Sequence, residues 1–338
     1  MTFMKNIFCI VLLCAAAQAS AQKYHTAAEL LKIAEKSQIT YQIEKGLKQP
    51  VTIDFENRLN INDSYRSRIM PEGTIITMDY RLSKEGAKLE EEAEKLFQLG
   101  DTDGAKKKYM EVLRTDPQYY KVMTYIGQCY GIEKNWVLAK EWYKRAIQNN
   151  YIDYMAHWFL GDVFFQEGET ENALREMIVA KVMNRNNPRI QQSLDKMLAA
   201  VSLQYDKWEF VPQYTVDKVN EKEVSVRYTD EWLIYALCKA IWQYEPGYRE
   251  SMGITGAGTS STEETECMLC HFTSYSTDAK TAKLPYMKAL LKAMDLGMYE
   301  EYIVYEVLLP QHPALAYQLE ENMAEEIYRY VMEVRIKK

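Results

Sequence analysis

Cys267-Met-Leu-Cys270-His271 is the one stretch of the chain whose residue types and spacing could do chemistry. C-x-x-C-H is the spacing of covalent c-type haem attachment. Two thiols three residues apart on a helix can reach the two vinyl groups, and the adjacent histidine can supply an axial ligand. Met287, Met294, Met298 and His312 could supply the second ligand. A zinc site from Cys267, Cys270, His271 and His312 has the right donors, but not the spacing of zinc motifs. A redox pair of the thioredoxin kind would follow a strand, and here a Gly- and Ser-rich stretch comes first. The plain alternative is two ordinary cysteines on an amphipathic helix, open to a disulfide in an oxidising compartment. That reading is adopted, with no cofactor and no metal. Haem c on Cys267, Cys270 and His271 is its alternative.

Nothing else in the chain composes a catalytic set. Four histidines leave little room for a hydrolase triad, and Glu90–Glu92 and Glu263–Glu264 read as solvated helix faces. The glycines of 253–262 lack the Lys-Ser or Lys-Thr of a phosphate loop. The chain therefore reads as non-enzymatic.

The elements that would carry a function are set by a repeat. Ala93, Gly127 and Gly161 stand 34 residues apart, and four further series share that step. They are Leu96, Tyr130 and Phe164; Ala105, Ala139 and Ala173; Tyr109, Tyr143 and Met177; and Val112, Ala146 and Ala180. A fixed period of this size signals stacked structural repeats. Each copy holds two apolar patterns of helical spacing joined by a polar turn: Gly100-Asp101-Thr102-Asp103, Glu133-Lys134-Asn135 and Glu167-Gly168-Glu169. Gly127 and Gly161 each forgo about 1 kcal/mol of helix propensity relative to alanine. Close approach of paired helices is the gain that offsets it.

With Ile126-Gly127, Tyr130, Ala139, Tyr143 and Ala146, then Leu160-Gly161, Phe164, Ala173 and Ala180, the chain resembles the tetratricopeptide repeat family. The first copy matches at Ala93, Leu96, Ala105, Tyr109 and Pro117. It departs from the pattern at Glu92, and the third copy lacks the proline, with Pro188 closing the array instead. The resemblance implies a mainly α fold of helical hairpin repeats in a right-handed superhelix, with small β elements flanking and a C-terminal helical region. It implies a concave groove lined by the first helix of each pair, which binds a protein or peptide. Carried over, the groove residues are Glu90, Glu94 and Phe97; Lys121, Thr124 and Gln128; and Trp158, Asp162, Phe165 and Gln166. The lysines and asparagines with which such grooves clamp a C-terminal carboxylate are absent at the matching positions, and Glu94 and Asp162 would repel that ligand. An apolar or basic segment suits the groove better; equally, its aromatics could pack against flanking domains.

The remainder is read around this array. The chain of 338 residues carries a net charge of −7, with no basic stripe, which disfavours nucleic acid as a partner. Residues 1–21 have the form of a signal peptide. Lys5 leads, an apolar run from Ile7 to Ala17 follows, and Ala19-Ser20-Ala21 is a small-residue cleavage site. Export to the periplasm or medium is expected, with no membrane span in the mature chain. Cys14 lacks the preceding small residue of a lipidation site. Residues 22–85 read as an α/β lead-in, with a helix from Ala27 to Ile43 and strands at 51–55 and 74–78, capping the array's start. Residues 86–204 hold three repeats and a capping helix. Residues 205–252 read as a hairpin (208–211 with 224–228) and a helix, 253–262 as a flexible linker, and 263–338 as helices, with Ser261 and Glu264 forming a capping box.

Overall fold

A computed structural model of the chain describes residues 24–60, 65–69, 75–255 and 258–338. The expected signal peptide, Cys14, and loop residues Asn62 and Asp63 lie outside them. In chain order the elements are α1 (Ala27–Lys36), β1 (Thr40–Lys45), β2 (Tyr65–Ile69), β3 (Ile75–Asp79), α2 (Lys84–Gln98), α3 (Thr102–Thr115), α4 (Tyr120–Ile132), α5 (Trp136–Asn149), α6 (Tyr154–Gln166), α7 (Thr170–Met183) and α8 (Pro188–Ala200). There follow β4 (Gln204–Tyr205), β5 (Tyr214–Asn220), β6 (Glu223–Tyr228), α9 (Leu233–Tyr244), α10 (Tyr248–Ser251), α11 (Ser261–Tyr275), α12 (Pro285–Leu296), α13 (Tyr299–Tyr302), α14 (Leu309–Gln311), α15 (Glu321–Tyr330) and β7 (Ile336–Lys337). No described helix is long and apolar enough to cross a membrane. The described residues divide into two compact units, one within 1–53 and 208–291, the other within 54–207 and 292–338.

The second unit holds the repeats. α2 packs on α3, α4 on α5 and α6 on α7, each hairpin then stacking on the next. This is the tetratricopeptide-type architecture that the 34-residue period implies. The register reaches into the backbone. Gly100, Lys134 and Gly168, one period apart, all adopt a left-handed conformation (φ 81°, 59° and 79°) just after the first helix of their pair. Asp101 and Asn135 then cap the second helices, accepting from the amides of Gly104 (2.8 Å) and Leu138 (3.3 Å). A Cβ on Gly127 would stand 2.5 Å from the Tyr143 ring, and one on Gly161 3.1 Å from the Ala173 carbonyl oxygen. Both small residues do mark the close approach of paired helices.

α8 packs on α7, and α15 also packs on α7. A buried ion cluster fastens this end. Arg185 and Arg335 both reach Glu306 (3.3 Å each), which also accepts from Tyr330 Oη at 2.9 Å.

The first unit joins two stretches far apart in sequence. β1 pairs in parallel with β6 (Thr40 opposite Glu223 through Lys45 opposite Tyr228), and β6 pairs antiparallel with β5, so the strand order is β1-β6-β5. Val224 and Val226 alternate inward and meet Ala236 and Ala240 of α9.

Several expectations are corrected. The first helix, expected to reach Ile43, ends at Lys36, and Thr40–Lys45 is a strand. Residues 51–55 form no strand, and β3 pairs with Tyr65–Ile69, read as loop in the sequence. Of the N-terminal lead-in, β1 completes the sheet around β6, while the β2–β3 hairpin lies over the start of α4 and not over the first helix pair. Residues 208–211 are irregular, and the strand partner of β6 is Tyr214–Asn220. The N-cap of α11 is Ser260, whose hydroxyl accepts from Glu263 N at 3.1 Å.

Candidate functional site

The Cys-x-x-Cys-His stretch lies on α11, facing the interior of the first unit. Cys267, Cys270 and His271 are buried. Cys267 Sγ is 2.7 Å from Cys238 Sγ on α9, and the Cys270 thiol donates to the His25 carbonyl at 3.1 Å. The His271 ring stacks on Trp232, with centroids 4.7 Å apart and planes at 2°, and its Nε2 lies 3.1 Å from Tyr286 Oη. Burial lowers the histidine's pKa to about 3. These side chains do not fit a covalently attached haem. Both thiols are buried, one against Cys238 and the other on the His25 carbonyl, and one face of the imidazole is covered by indole. Among the described residues, no three or more His, Cys, Asp or Glu side chains come together as a metal would require.

The same helix corrects a second expectation. Glu263 and Glu264 are not on a solvated face but are buried. Lys239 of α9 bonds both, at 2.7 Å for Glu264. Arg249 reaches Glu263 at 3.0 Å, and Tyr235 Oη donates to Glu264 at 2.6 Å. Glu266, one turn on, accepts from Trp242 Nε1 (2.6 Å), Tyr248 Oη (2.8 Å) and the His25 amide (2.7 Å). Each buried charge is paired or hydrogen-bonded, as burial demands. His157, in the other unit, is likewise committed: Nδ1 lies 2.6 Å from Glu176 and Nε2 3.0 Å from the Tyr151 carbonyl.

The groove residues divide in a way that the sequence did not show. Eight of the ten fall in three rows at the repeat period: Glu90, Thr124 and Trp158; Glu94, Gln128 and Asp162; and Phe97 and Phe165, with Gly131 at the position between them. The first row is largely spent on internal bonds. Glu90 accepts from Tyr119 Oη (3.0 Å), Thr124 donates to Asp153 Oδ2 (2.6 Å), and Trp158 Nε1 donates to Ser193 Oγ (3.1 Å).

Lys121 and Thr124 are buried, at 7% and 1% exposure, so neither lines an open groove. The cause is the unit's own chain. Asn150 Nδ2 donates to the Tyr65 carbonyl (3.0 Å), the Tyr65 and Tyr317 rings meet at 4.6 Å, and Thr77 donates to the Tyr317 carbonyl (3.1 Å). The β2–β3 hairpin and the turn at 313–318 thereby cover the start of α4, where Lys121 shares a small cavity with Tyr65, Asp153 and Tyr317.

The other two rows stay partly open. Glu94 accepts from Tyr109 Oη at 2.6 Å, while Asp162 makes no hydrogen bond among the described residues. Burial raises the Asp162 carboxyl to about 6, against the pull of Lys196. The accessible strip is therefore Glu94, Gln128 and Asp162 flanked by Phe97 and Phe165, with Gln166 at its exposed end.

A cleft of about 470 Å³ between the second and third repeats is lined by Lys140, Lys144, Phe164, Asn172 and Arg175. The sequence reading missed it, because its basic residues come from two helices one repeat apart. Its charges are largely committed: Lys140 to Glu167 (2.5 Å) and Glu169 (3.2 Å), and Arg175 to Glu176 (2.6 Å) and Glu325 (2.5 Å).

No protein-family model and no curated protein matches the chain. Solved structures do. The first tetratricopeptide domain of human RPAP3 is 22% identical, covering 35% of this chain and 93% of that one, with a TM-score of 0.34. A tetratricopeptide repeat protein of Parabacteroides merdae is 12% identical, covering 74% of this chain and all of that one, with a TM-score of 0.33. YrrB, a tetratricopeptide protein with an unusual peptide-binding site, is 12% identical, covering 71% and 90%, with a TM-score of 0.31. The repeat architecture rests on the chain's own helix pairing and not on these likenesses.

Proposed function

We propose that this protein is an exported, non-catalytic scaffold. It binds a basic or apolar segment of a partner protein on the strip formed by Glu94, Gln128, Asp162, Phe97 and Phe165. The observation that carries the reading is the strip itself. Two aromatics sit one pair of repeats apart on equivalent turns, beside carboxylates at equivalent positions. Aromatic anchors supply contact area, and Asp162, with no bonded cation, supplies the charge preference. The signal-like first 21 residues support export. A C-terminal carboxylate ligand is disfavoured by the same acidic row.

The test is capture by crosslinking from the exported fraction of the native host, comparing the wild type with Phe97→Ala/Phe165→Ala. Wild type is expected to retain a partner through a Lys- or Arg-bearing segment, and the double variant to lose it. A wild type that retains nothing, or a variant that retains the same partner equally, overturns the reading.

A further inference from the structure

Among its described residues the first unit holds three cysteines, within two packed helices, and scaffold binding uses none of them. Cys238 sits in the middle of α9, and Cys267 and Cys270 lie on the inward face of α11; all three are buried thiols. Two details choose between the possible pairs. Cys267 and Cys270 are neighbours on one turn of a continuous helix, where Cβ atoms three residues apart are roughly 5–6 Å from each other. A disulfide requires about 3.8 Å between Cβ atoms. Linking them would break the helix that holds Glu263, Glu264 and Glu266 in place. Cys270, moreover, already donates to the His25 carbonyl. Cys238 and Cys267, by contrast, face each other across the helix interface with their sulfurs 2.7 Å apart. A bonded pair stands at about 2.05 Å, so closure needs only a fraction of an ångström of side-chain movement.

We propose that Cys238 and Cys267 form a disulfide that joins α9 to α11, leaving Cys270 reduced. The oxidant is a disulfide of the thiol–disulfide exchange class. One cysteine thiolate attacks it to form a mixed disulfide and expels one thiolate. The second cysteine thiolate then attacks that mixed bond and expels the other. Two electrons pass from the two cysteine sulfurs to the oxidant disulfide, and the two cysteine protons end on its two released thiols. In the folded chain burial holds both thiols well into their protonated range, with Cys267 raised to about 12. Exchange therefore belongs to folding, before the helices seal the pair, and a bond once made is shielded from reductant. The inference stands apart from the binding strip, which lies in the other unit.

The full chain is reduced and unfolded, then refolded in a buffer of reduced and oxidised glutathione. It is alkylated in denaturant and mapped by peptide mass spectrometry. The expected product is one Cys238–Cys267 cross-linked peptide pair, with Cys129 and Cys270 alkylated. Cys270→Ser should leave that bond in place, and Cys238→Ser should abolish it. Mapping the wild type after passage through an oxidising compartment of an expression host gives an answer that needs no variant to fold. Any other pairing among Cys238, Cys267 and Cys270, or alkylation of all three together with Cys129 in both preparations, overturns the proposal.

Discussion

Gly127→Ala is the sharpest test of the packing that defines the repeats. In an unconstrained helix the change gains about 1 kcal/mol of propensity. Here the new Cβ would lie 2.5 Å and 2.7 Å from two Tyr143 ring carbons, where ordinary contact begins near 3.4 Å. The ring must retreat by most of an ångström. Tyr143 is only 3% exposed, and its far side meets the Phe159 ring at 5.9 Å. Overpacking of this kind costs about 1–3 kcal/mol, and a rigid ring in a closed site belongs at the upper end. The net expectation is destabilisation by about 1–2 kcal/mol. Gly161→Ala differs: its nearest contacts are 3.1 Å and 3.2 Å, so a few tenths of an ångström suffice and the two terms nearly cancel. Urea unfolding followed by circular dichroism, with hydrogen exchange of the α4 and α5 amides to localise the effect, measures both. In a Tyr143→Leu background the Gly127→Ala penalty should shrink. A Gly127→Ala protein as stable as wild type, or a penalty untouched by Tyr143→Leu, would refute the reasoning.

Three further outcomes are expected. Lys134→Gly should stabilise the array by about 1 kcal/mol, because a non-glycine residue holds the left-handed turn that its counterparts fill with glycine, and Lys134→Ala should not; thermal denaturation distinguishes the two. His271 has a folded pKa of about 3 against about 6.5 when unfolded, so its contribution is complete above pH 6.5 and is lost as pH falls toward 3, on the order of 4 kcal/mol in all; His271→Phe should flatten the acid limb of a stability–pH curve, and an unchanged limb would count against the burial. Asp162, raised to about 6, works in the opposite sense: stability is greatest below pH 4 and falls as pH rises through 6, so Asp162→Asn should gain about 1–2 kcal/mol at pH 7.5 after solvent screening and nothing at pH 4, as read by urea midpoints.

The repeats were legible because their signal is local and periodic. Small residues, polar turns and the helix faces recur at one step, and the positive-φ turn at Gly100 and Gly168 is visible as glycine. The first unit was not legible, because its defining pairing joins Thr40–Lys45 to Glu223–Tyr228 across the whole repeat array. A parallel partner that distant leaves no local mark. Tyr41 and Ile43 could be read on from the helical spacing of Leu30, Leu31 and Ala34 as easily as by strand alternation. The burial of Glu263 and Glu264 was hidden for a similar reason. Two adjacent glutamates at a helix start look solvated until Lys239, on another helix, is known to lie over them. The groove was half legible: its residues are on the helices expected, but only the fold shows that β2, β3 and residues 313–318 cover Lys121 and Thr124.

What separates a binding strip from a packed face is which polar groups the protein has left unspent. Glu90, Thr124 and Trp158 each satisfy a neighbour in the same unit, so removing them would injure the fold before it altered a ligand. Asp162 satisfies none. Its carboxylate is partly buried, carries its charge at a cost near neutral pH, and gains little from Lys196. On the proposed reading, an outside cation completes it. The same reasoning sets the partner's character. A lysine or arginine reaching Asp162 would relieve the desolvated charge, and apolar side chains on either side of it would cover Phe97 and Phe165. Affinity should therefore rise as pH passes upward through about 6 and the carboxyl ionises, and that dependence should vanish in Asp162→Asn.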